Sequence, residues 1–271
     1  MVKVTFDKEG KMNYGFIGCG NMGGAIARAL SKSTKNITLC DPYAADALAK
    51  ELNCAVGNNE TAAASCDCLF LAVKPQVLSS VITPIAEILS EHKPLIVTMA
   101  AGIEINKIEN MIGSSLPIIR IMPNTPVTVG NGTILYCYNE FVTDAMLSAF
   151  LADMEHAGML DPIPENLIDA ASALSGCGPA YVYMFIEALA DGAVACGVPR
   201  AKATLYAANT LAGAAQMVLQ IKEHPGALKD AVCSPGGSTI AGVKALEENG
   251  FRGAVMDCVQ AAYIRTKELG K

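Results

Sequence analysis

The sequence offers little from which a metal centre or a disulfide framework could be built. Its ten cysteines are scattered singly, no C-x-x-C pair occurs, and Cys66 and Cys68 are the only two close together. The three histidines, His92, His156 and His224, are far apart along the chain. Because metal sites usually draw ligands at tight spacings, we expect no metal, and cysteines that are mostly reduced and buried.

The sequence also lacks the patterns that we expect of a membrane span, a signal peptide or a basic surface. Its longest uncharged stretch, residues 170–186, is interrupted by serines, two glycines and a proline. The opening residues, MVKVTFDKEGK, have no apolar core, and the net charge of −6 disfavours nonspecific nucleic-acid binding. We therefore expect a cytoplasmic protein with no membrane or nucleic-acid partner. The first eleven residues, which precede Met12, are expected to be a dispensable tail.

Up to about residue 163, short apolar runs alternate with helical segments in a chain of 271 residues. Continuous apolarity predicts strands buried on both faces, and therefore a mostly parallel sheet between layers of helices. The predicted strands are YGFIG, ITLCD, CLFLAV, PLIVTM, IIRIMP and VGNGTILYCYN, and the predicted helices span 23–31, 44–52, 76–89 and 105–111.

The pattern changes near Pro162 and Pro164, after which we predict helices alone, over 180–196, 200–223, 239–249 and 252–269. The sequence thus predicts an α/β domain over 1–164 and an all-α domain over 165–271. The helix over 180–196 is apolar on almost every side, apart from Glu187 and Asp191. Since a helix of this kind must be buried on most sides, we expect a subunit interface and an obligate oligomer.

A glycine-rich loop links the first predicted strand to the first helix. The G-x-G-x-x-G pattern with strand before and helix after predicts a Rossmann dinucleotide site in a doubly wound sheet. A ligand-free glycine turn is the alternative, and a P-loop is excluded because no Gly-Lys-Ser/Thr follows. The candidate cofactor residues here are Gly18, Cys19, Gly20, Asn21, Met22 and Gly23.

Later strand ends supply further candidates. FLAVKP places Ala72, Val73 and Lys74 at the carboxyl end of a strand, where open α/β sheets bind ligands. Lys74 could reach a cofactor phosphate or ribose, or could be a surface lysine before a helix. TMAAG ends the next strand with small residues that suit a close backbone approach, and RIMPNTP holds Asn124 between prolines, which also fits a rigid loop.

The end of the second strand indicates which cofactor is used. Asp41 follows ITLC at about the offset from the glycine loop where an acidic residue binds the adenine ribose. A carboxylate there would repel a 2′-phosphate, so we predict a preference for NADH over NADPH. Asp41 could also cap the next helix, with Pro42 at its first position, and the two roles are compatible.

A second glycine-rich helix start lies in the all-α region, within SPGGST. Two adjacent glycines before a helix favour a carboxylate site formed by successive backbone N–H groups. The alternative is an ordinary helix start capped by Ser238 or Thr239. The candidate substrate-binding residues are Ser234, Gly236, Gly237, Ser238 and Thr239.

These motifs together resemble the pyrroline-5-carboxylate reductases. The resemblance runs from about Asn13 to the C-terminus through FIGCGNMGGAIARAL, FLAVKP, RIMPNTP, ALSGCGPAYVY, HPGALKDAV, SPGGSTIAGVKALEENGFRGAV and IRTKEL. It implies reduction of 1-pyrroline-5-carboxylate to L-proline, the last step of proline biosynthesis, with NADH or NADPH. It also implies a helical dimerisation domain, and an active site between one subunit's cofactor and the partner's helical domain.

The resemblance also implies roles for single residues. The Thr239 hydroxyl would face the ring nitrogen of the substrate as the catalytic group, and residues 234–239 would bind the carboxylate. Asn58, Ala72–Lys74 and Ala100 would join the glycine loop in binding the cofactor. The family often has asparagine in its KDN position, where this chain has Ala231, which puts one minor polar contact in doubt.

Two other functions are alternatives. A β-hydroxyacid dehydrogenase has a similar glycine loop and helical tail, but it places a catalytic lysine six residues after the first glycine of a G-x-G. Here Gly176-Cys177-Gly178 leads to Val182, so an alcohol proton has no acceptor. A non-catalytic dinucleotide sensor would bind cofactor without needing SPGGST. A homodimer through the helical domain is expected, and a larger assembly of dimers is left open.

Overall fold

A computed structural model describes residues 12–269, the side chain of residue 269 excepted. The chain forms two compact units, which we describe separately. Among the described residues, the first contains those up to Cys177 and those from Ala262 onward, and the second is Gly178–Ala261. The division predicted between residues 164 and 165 stays a prediction, and the predicted N-terminal tail lies outside the described residues.

The first unit is built on an eight-stranded sheet in the order β3-β2-β1-β4-β5-β6-β7-β8. Every neighbouring pair is parallel except β6 and β7, which are antiparallel. The predicted fold class, a mostly parallel α/β sheet followed by an all-α region, is confirmed. The strands are β1 Tyr14–Ile17, β2 Ile37–Cys40, β3 Ala55–Val56, β4 Cys68–Leu71, β5 Leu95–Thr98, β6 Ile118–Met122, β7 Gly132–Tyr138 and β8 Gly158–Pro162.

Helices cover both faces of this sheet. They are α1 Asn21–Leu30, α2 Ala45–Leu52, α3 Asn59–Ser65, α4 Pro75–Ile82, α5 Ala86–His92, α6 Ile105–Ile112, α7 Asp144–Asp153 and α8 Glu165–Ser175. The single helix predicted over 76–89 was wrong: a 3₁₀ turn at Thr83–Ile85 separates α4 from α5. Pro84 lies in that turn, and since proline has no backbone N–H it cannot continue an α-helical hydrogen-bond ladder.

The strands alternate side chains between two hydrophobic clusters, one on each face of the sheet. Phe16 packs in one cluster, where its ring stacks on Phe70 at 4.4 Å between centroids, and the next residue, Ile17, packs in the other. Because both faces are buried, the strands read as unbroken apolar runs, as the sequence predicted.

A buried arginine joins α8 to the sheet. The Arg120 side chain on β6 is 1% exposed, and its two terminal nitrogens donate to Glu165 Oε1 at 3.3 Å and Asp169 Oδ1 at 2.7 Å. Glu165 Oε1 also accepts from the N–H of Ile105 at 2.8 Å, and Lys267 Nζ lies 3.5 Å from Asp169 Oδ2. A charge buried this deeply needs such partners, so the network holds the N-terminal half of α8 against β6.

The second unit is helical, and no strand follows Pro162 among the described residues. Its only internal core is small, with Ala190, Ala203 and Ala207 packed where α9 meets α10. Large apolar side chains lie on its surface instead, among them Met184, Leu205 and Met256. The helices that contribute to it are α9 Gly178–Ala195, α10 Arg200–Ile221, α11 Pro225–Ala231, α12 Ser238–Glu248 and α13 Phe251–Leu269, the last continuing into the first unit.

Removing the buried guanidinium should destabilise the first unit far more than removing an exposed one. We expect Arg120→Met to lower the free energy of unfolding by about 3 kcal/mol, because two carboxylates lose their buried partner. This is the lower end of the usual range, since Lys267 and solvent still reach Asp169 and Glu165.

Arg28→Met is the matched control, because Arg28 also donates two hydrogen bonds to a carboxylate, at 2.7 and 2.8 Å to Glu51, but lies on the surface. Urea denaturation followed by circular dichroism measures both variants. Equal shifts of the two midpoints would contradict the role assigned to Arg120.

Candidate functional site

The glycine loop lies directly against the carboxyl end of β4. Gly18 has φ +97°, and a Cβ built there would lie 2.7 Å from the Ala72 carbonyl oxygen and 2.9 Å from Val73 Cγ1. A Cβ at Gly23 would collide with the Gly18 carbonyl oxygen. Both positions therefore require glycine, and their close approach brings the start of α1 to the carboxyl edge of the sheet.

The N-terminus of α1 can bind an anion. Its N-cap is Gly20, no side chain caps the helix, and the first turn contains no acidic residue. A Cβ at Gly20 would meet nothing within 4 Å, so the space beside it is open to a ligand. Uncapped N–H groups and the positive end of the helix dipole favour a phosphate or carboxylate here.

A cleft of about 420 Å³ lies beside this helix start, at the ends of β1, β4, β5 and β6. It brings together six of the predicted cofactor residues with five others that were not predicted to bind the cofactor. The lining residues are Gly20, Asn21, Met22, Ala72, Val73, Lys74, Pro75, Met99, Ala101, Met122 and Pro123.

Apart from Pro75, which ends FLAVKP, the lining residues that were not predicted to bind the cofactor belong to the two strand ends TMAAG and RIMPNTP. The Ala100 side chain is buried in the core, whereas its neighbours Met99 and Ala101 line the cleft. Asn124 lies in a rigid loop: its Nδ2 donates to the Ser175 carbonyl at 2.9 Å and its Oδ1 accepts from Thr133 N–H at 2.8 Å.

Lys74 is the charged residue of this cleft. Its side chain is exposed, it occupies the N-cap position of α4, and no ion pair engages it within the part of the chain that the structure describes. An ammonium group at the rim can pair with a phosphate or donate to a ribose hydroxyl.

A second cleft, of about 300 Å³, lies at the carboxyl ends of β2 and β3. Its charged residues are Asp41 and Glu60, so its local charge is negative. Asn58 caps α3 there, with Oδ1 accepting from Thr61 N–H at 2.8 Å, which leaves its amide donors for a ligand. The lining residues are Cys40, Asp41, Pro42, Gly57, Asn58, Asn59 and Glu60.

Asp41 connects the second cleft to the glycine loop. Its Oδ2 accepts from the N–H of Cys19 at 2.9 Å, and its Oδ1 accepts from the N–H groups of Tyr43 and Ala44, each at 2.9 Å. The N-cap of α2 is Ala44 rather than Asp41, so Asp41 orders the turn before the helix without capping it. One lone pair of Oδ2 remains for a ribose hydroxyl.

These contacts determine the ionisation of the group. Burial alone would raise the pKa of Asp41, but the three backbone N–H donors outweigh it and hold the pKa below the usual value of an aspartate. The stabilisation from the ionised carboxylate is therefore complete above the ordinary aspartate pKa and is lost only as the pH falls through the lowered value. Burial and the charge of Asp41 raise the pKa of the Cys19 thiol to about 12, so that thiol stays protonated.

The SPGGST loop forms a similar helix start in the second unit. Gly236 has φ +69°, a Cβ at Gly237 would collide with Ser234 Oγ, and the N–H of Gly237 donates to the Ser234 carbonyl at 3.0 Å. Gly237 is the N-cap of α12 and no side chain caps it, so the alternative of a Ser238 or Thr239 cap was wrong. The exposed first turn can accept an anion.

Among residues 12–269, no group of three or more histidine, cysteine, aspartate or glutamate side chains is arranged to hold a metal ion. None of the helices described is both long and apolar enough to cross a membrane.

Two family profiles match the chain. The profile described as pyrroline-5-carboxylate reductase dimerisation matches residues 165–269. The profile described as NADP oxidoreductase, coenzyme F420-dependent, matches residues 13–102. This range contains the lining residues of the second cleft and most of those of the first.

Whole-chain relatives point the same way. The chain is 43% identical over 264 residues to pyrroline-5-carboxylate reductase of Synechocystis sp., covering 95% of this chain and 98% of the relative. It is 40% identical over 265 residues to the Escherichia coli protein of that name, covering 95% and 98%. A crystal structure of Plasmodium falciparum pyrroline carboxylate reductase with NADP bound matches at 34% identity and a TM-score of 0.88, covering 98% of this chain and 100% of that one. The chain therefore belongs to the pyrroline-5-carboxylate reductase family.

Proposed function

We propose that this chain reduces the C=N bond of 1-pyrroline-5-carboxylate to L-proline, the last step of proline biosynthesis, with NADH or NADPH as hydride donor. The observation that carries the proposal is the presence of two helix starts with glycine N-caps and no side-chain cap, α1 in the first unit and α12 in the second. One suits the cofactor pyrophosphate and the other suits the substrate carboxylate. Family membership supports this pairing.

The residues of the first unit fit a dinucleotide. Gly20 leaves open space beside the N-terminus of α1, and Lys74 can pair with a phosphate at the rim. When bound, the reduced nicotinamide supplies a hydride. The small residues Ala72 and Ala101 allow a flat ring to approach the carboxyl edge of the sheet.

The chemistry asks little of the protein in acid–base terms. Hydride addition to the carbon of a protonated imine moves two electrons into a new C–H bond and leaves a neutral amine at nitrogen. No proton has to be removed, so the reaction needs no general base. The first cleft fits this requirement, because Lys74 is the only titratable residue in its lining. Binding the carboxylate and orienting the ring are then the main contributions of residues 234–239.

A direct assay separates this function from the alternatives. Purified protein is mixed with NADH and the imine, and the loss of reduced-nicotinamide absorbance is followed. We expect proline to form in proportion to the cofactor oxidised. Cofactor binding without turnover would favour a non-catalytic sensor, and turnover of a β-hydroxyacid would favour the dehydrogenase.

Thr239 is proposed to hydrogen-bond the ring nitrogen of the substrate. Thr239→Ala should lower kcat/KM for the imine about ten- to hundredfold, the cost of one hydrogen bond to a charged group. Thr239→Ser keeps the hydroxyl and should retain most of the activity. The dissociation constant for the cofactor should not move in either variant, and an alanine variant within twofold of wild type would remove Thr239 from the mechanism.

We further propose that NADH is the preferred cofactor, because the second cleft has two carboxylates and no lysine or arginine in its lining. Wild type should show a higher kcat/KM with NADH than with NADPH. Asp41→Asn and Asp41→Ser should each lower that ratio by about tenfold, or about 1.4 kcal/mol, by removing the charge that repels a 2′-phosphate.

The ratio is the necessary readout, because Asp41 also holds the N–H of Cys19. Its loss should weaken the binding of both cofactors through the glycine loop. A wild type that favours NADPH would contradict the proposed preference. Variants that lower kcat/KM equally with NADH and NADPH would show that Asp41 acts on the loop alone.

We propose that the protein is a homodimer through its helical unit, in which Met184 of α9 is 69% exposed. Met184→Glu should dissociate the dimer, as measured by light scattering, and abolish activity with it. Ala190 is unsuitable for this test because it is buried within the chain against α10. Met159→Glu, on the edge strand β8, is the control and should leave assembly intact; an active monomer would contradict the proposal.

A larger assembly of dimers would appear in the same measurement. The cytoplasmic location stays a prediction.

A further inference from the structure

Tyr43 is an aromatic residue that no packing within the chain explains. Its side chain is 96% exposed, more than any other large hydrophobic side chain among the described residues. No ring contact or cation–π contact involves it in that part of the chain. A single exposed apolar residue needs no explanation by itself, so its surroundings must decide whether it has a role.

The backbone of Tyr43 is held firmly despite the exposure of its ring. Its N–H donates to Asp41 Oδ1 at 2.9 Å, and the same oxygen accepts from the next residue, Ala44. Pro42, which precedes it, has a restricted φ, and α2 begins two residues later at Ala45. The ring therefore projects from a rigid turn, and only its two side-chain torsions remain to be fixed when a ligand binds.

That turn borders the second cleft. Cys40, Asp41 and Pro42 line the cleft up to the residue before Tyr43, and residues 57–60 form the opposite wall. In doubly wound sheets, the adenosine half of a dinucleotide lies at the carboxyl end of the second strand, which is where this cleft is. The cleft is polar and acidic and its lining contains no aromatic residue, so it offers ribose contacts but little apolar surface to a purine ring.

We infer that the Tyr43 ring stacks on the adenine of the bound dinucleotide, so that it supplies the apolar surface that the cleft lacks. The inference rests on the proposed function insofar as the ligand is a nicotinamide dinucleotide. Stacking between a base and an aromatic ring commonly strengthens binding by about tenfold or more. It requires only the ring face, and so it depends on the aromatic character of the residue and not on its hydroxyl.

Calorimetric titration with fragments of the cofactor tests this without any turnover. ADP-ribose contains the adenine, whereas nicotinamide mononucleotide does not. Tyr43→Ala should raise the dissociation constant for ADP-ribose about tenfold. It should leave that for nicotinamide mononucleotide unchanged, and Tyr43→Phe should remain within twofold of wild type for both fragments.

Phe141→Ala is the matched control, because Phe141 is also an exposed aromatic residue of the first unit but follows β7, far along the strand order from β2. It should bind both fragments as wild type does. Thermal melts of all variants check folding, which truncation of the highly exposed Tyr43 ring should not disturb.

Three results would overturn the inference: an alanine variant within twofold of wild type for ADP-ribose, a phenylalanine variant as weak as alanine, or a wild type with no measurable affinity for ADP-ribose. The proposed function fails differently. If binding depends on the Tyr43 ring but the imine is not reduced, the stacking stands and the reductase assignment is wrong.

Discussion

The close contact between the glycine loop and the end of β4 is the constraint on which the rest of the nucleotide-binding unit depends. Gly18, at a positive φ, places its backbone against Ala72, and Gly23 allows α1 to pack on the same point. From the opposite side, Asp41 holds the loop through the N–H of Cys19. The loop is thus fixed between β4 and β2, and the uncapped N-terminus of α1 opens onto the first cleft, at the ends of β1, β4, β5 and β6.

The sheet explains why both clefts lie at one edge. Its two faces are filled by apolar side chains, with Phe16 on one side and Ile17 on the other, so neither face is available to a polar ligand. Backbone groups and short side chains at the carboxyl ends of the strands remain accessible. Arg120 on β6 is a charged exception, and its buried charge is compensated by Glu165 and Asp169, which fasten α8 where the match to the dimerisation profile begins.

The helical unit has a different physical character. It buries only a few alanines within the chain and leaves residues such as Leu205 and Met256 on its surface. Apolar surface of this extent favours association, and in an obligate dimer the stability of the fold depends on protein concentration. Because one candidate anion site lies in each unit, the proposed reduction needs both units to be folded.

The sequence by itself determined the features that arise from local rules. Unbroken apolar runs predicted the central parallel strands, because strands buried on both faces carry apolar side chains at successive positions. The spacing of Gly18, Gly20 and Gly23 predicted the turn into α1, because the turn needs backbone φ values and close approaches that only glycine allows. The edge strands β3 and β8 were not predicted, since β3 has two residues and β8 is half exposed, so neither has an apolar run.

Only the tertiary structure decided the contacts that join distant residues. Asp41 accepts from a residue 22 positions away, and Arg120 finds its carboxylates 45 and 49 positions away. The sequence around Asp41 or Arg120 does not indicate which distant residue each of them will contact. These pairings follow from strand order and register, which place the end of β2 beside the glycine loop and α8 over β6.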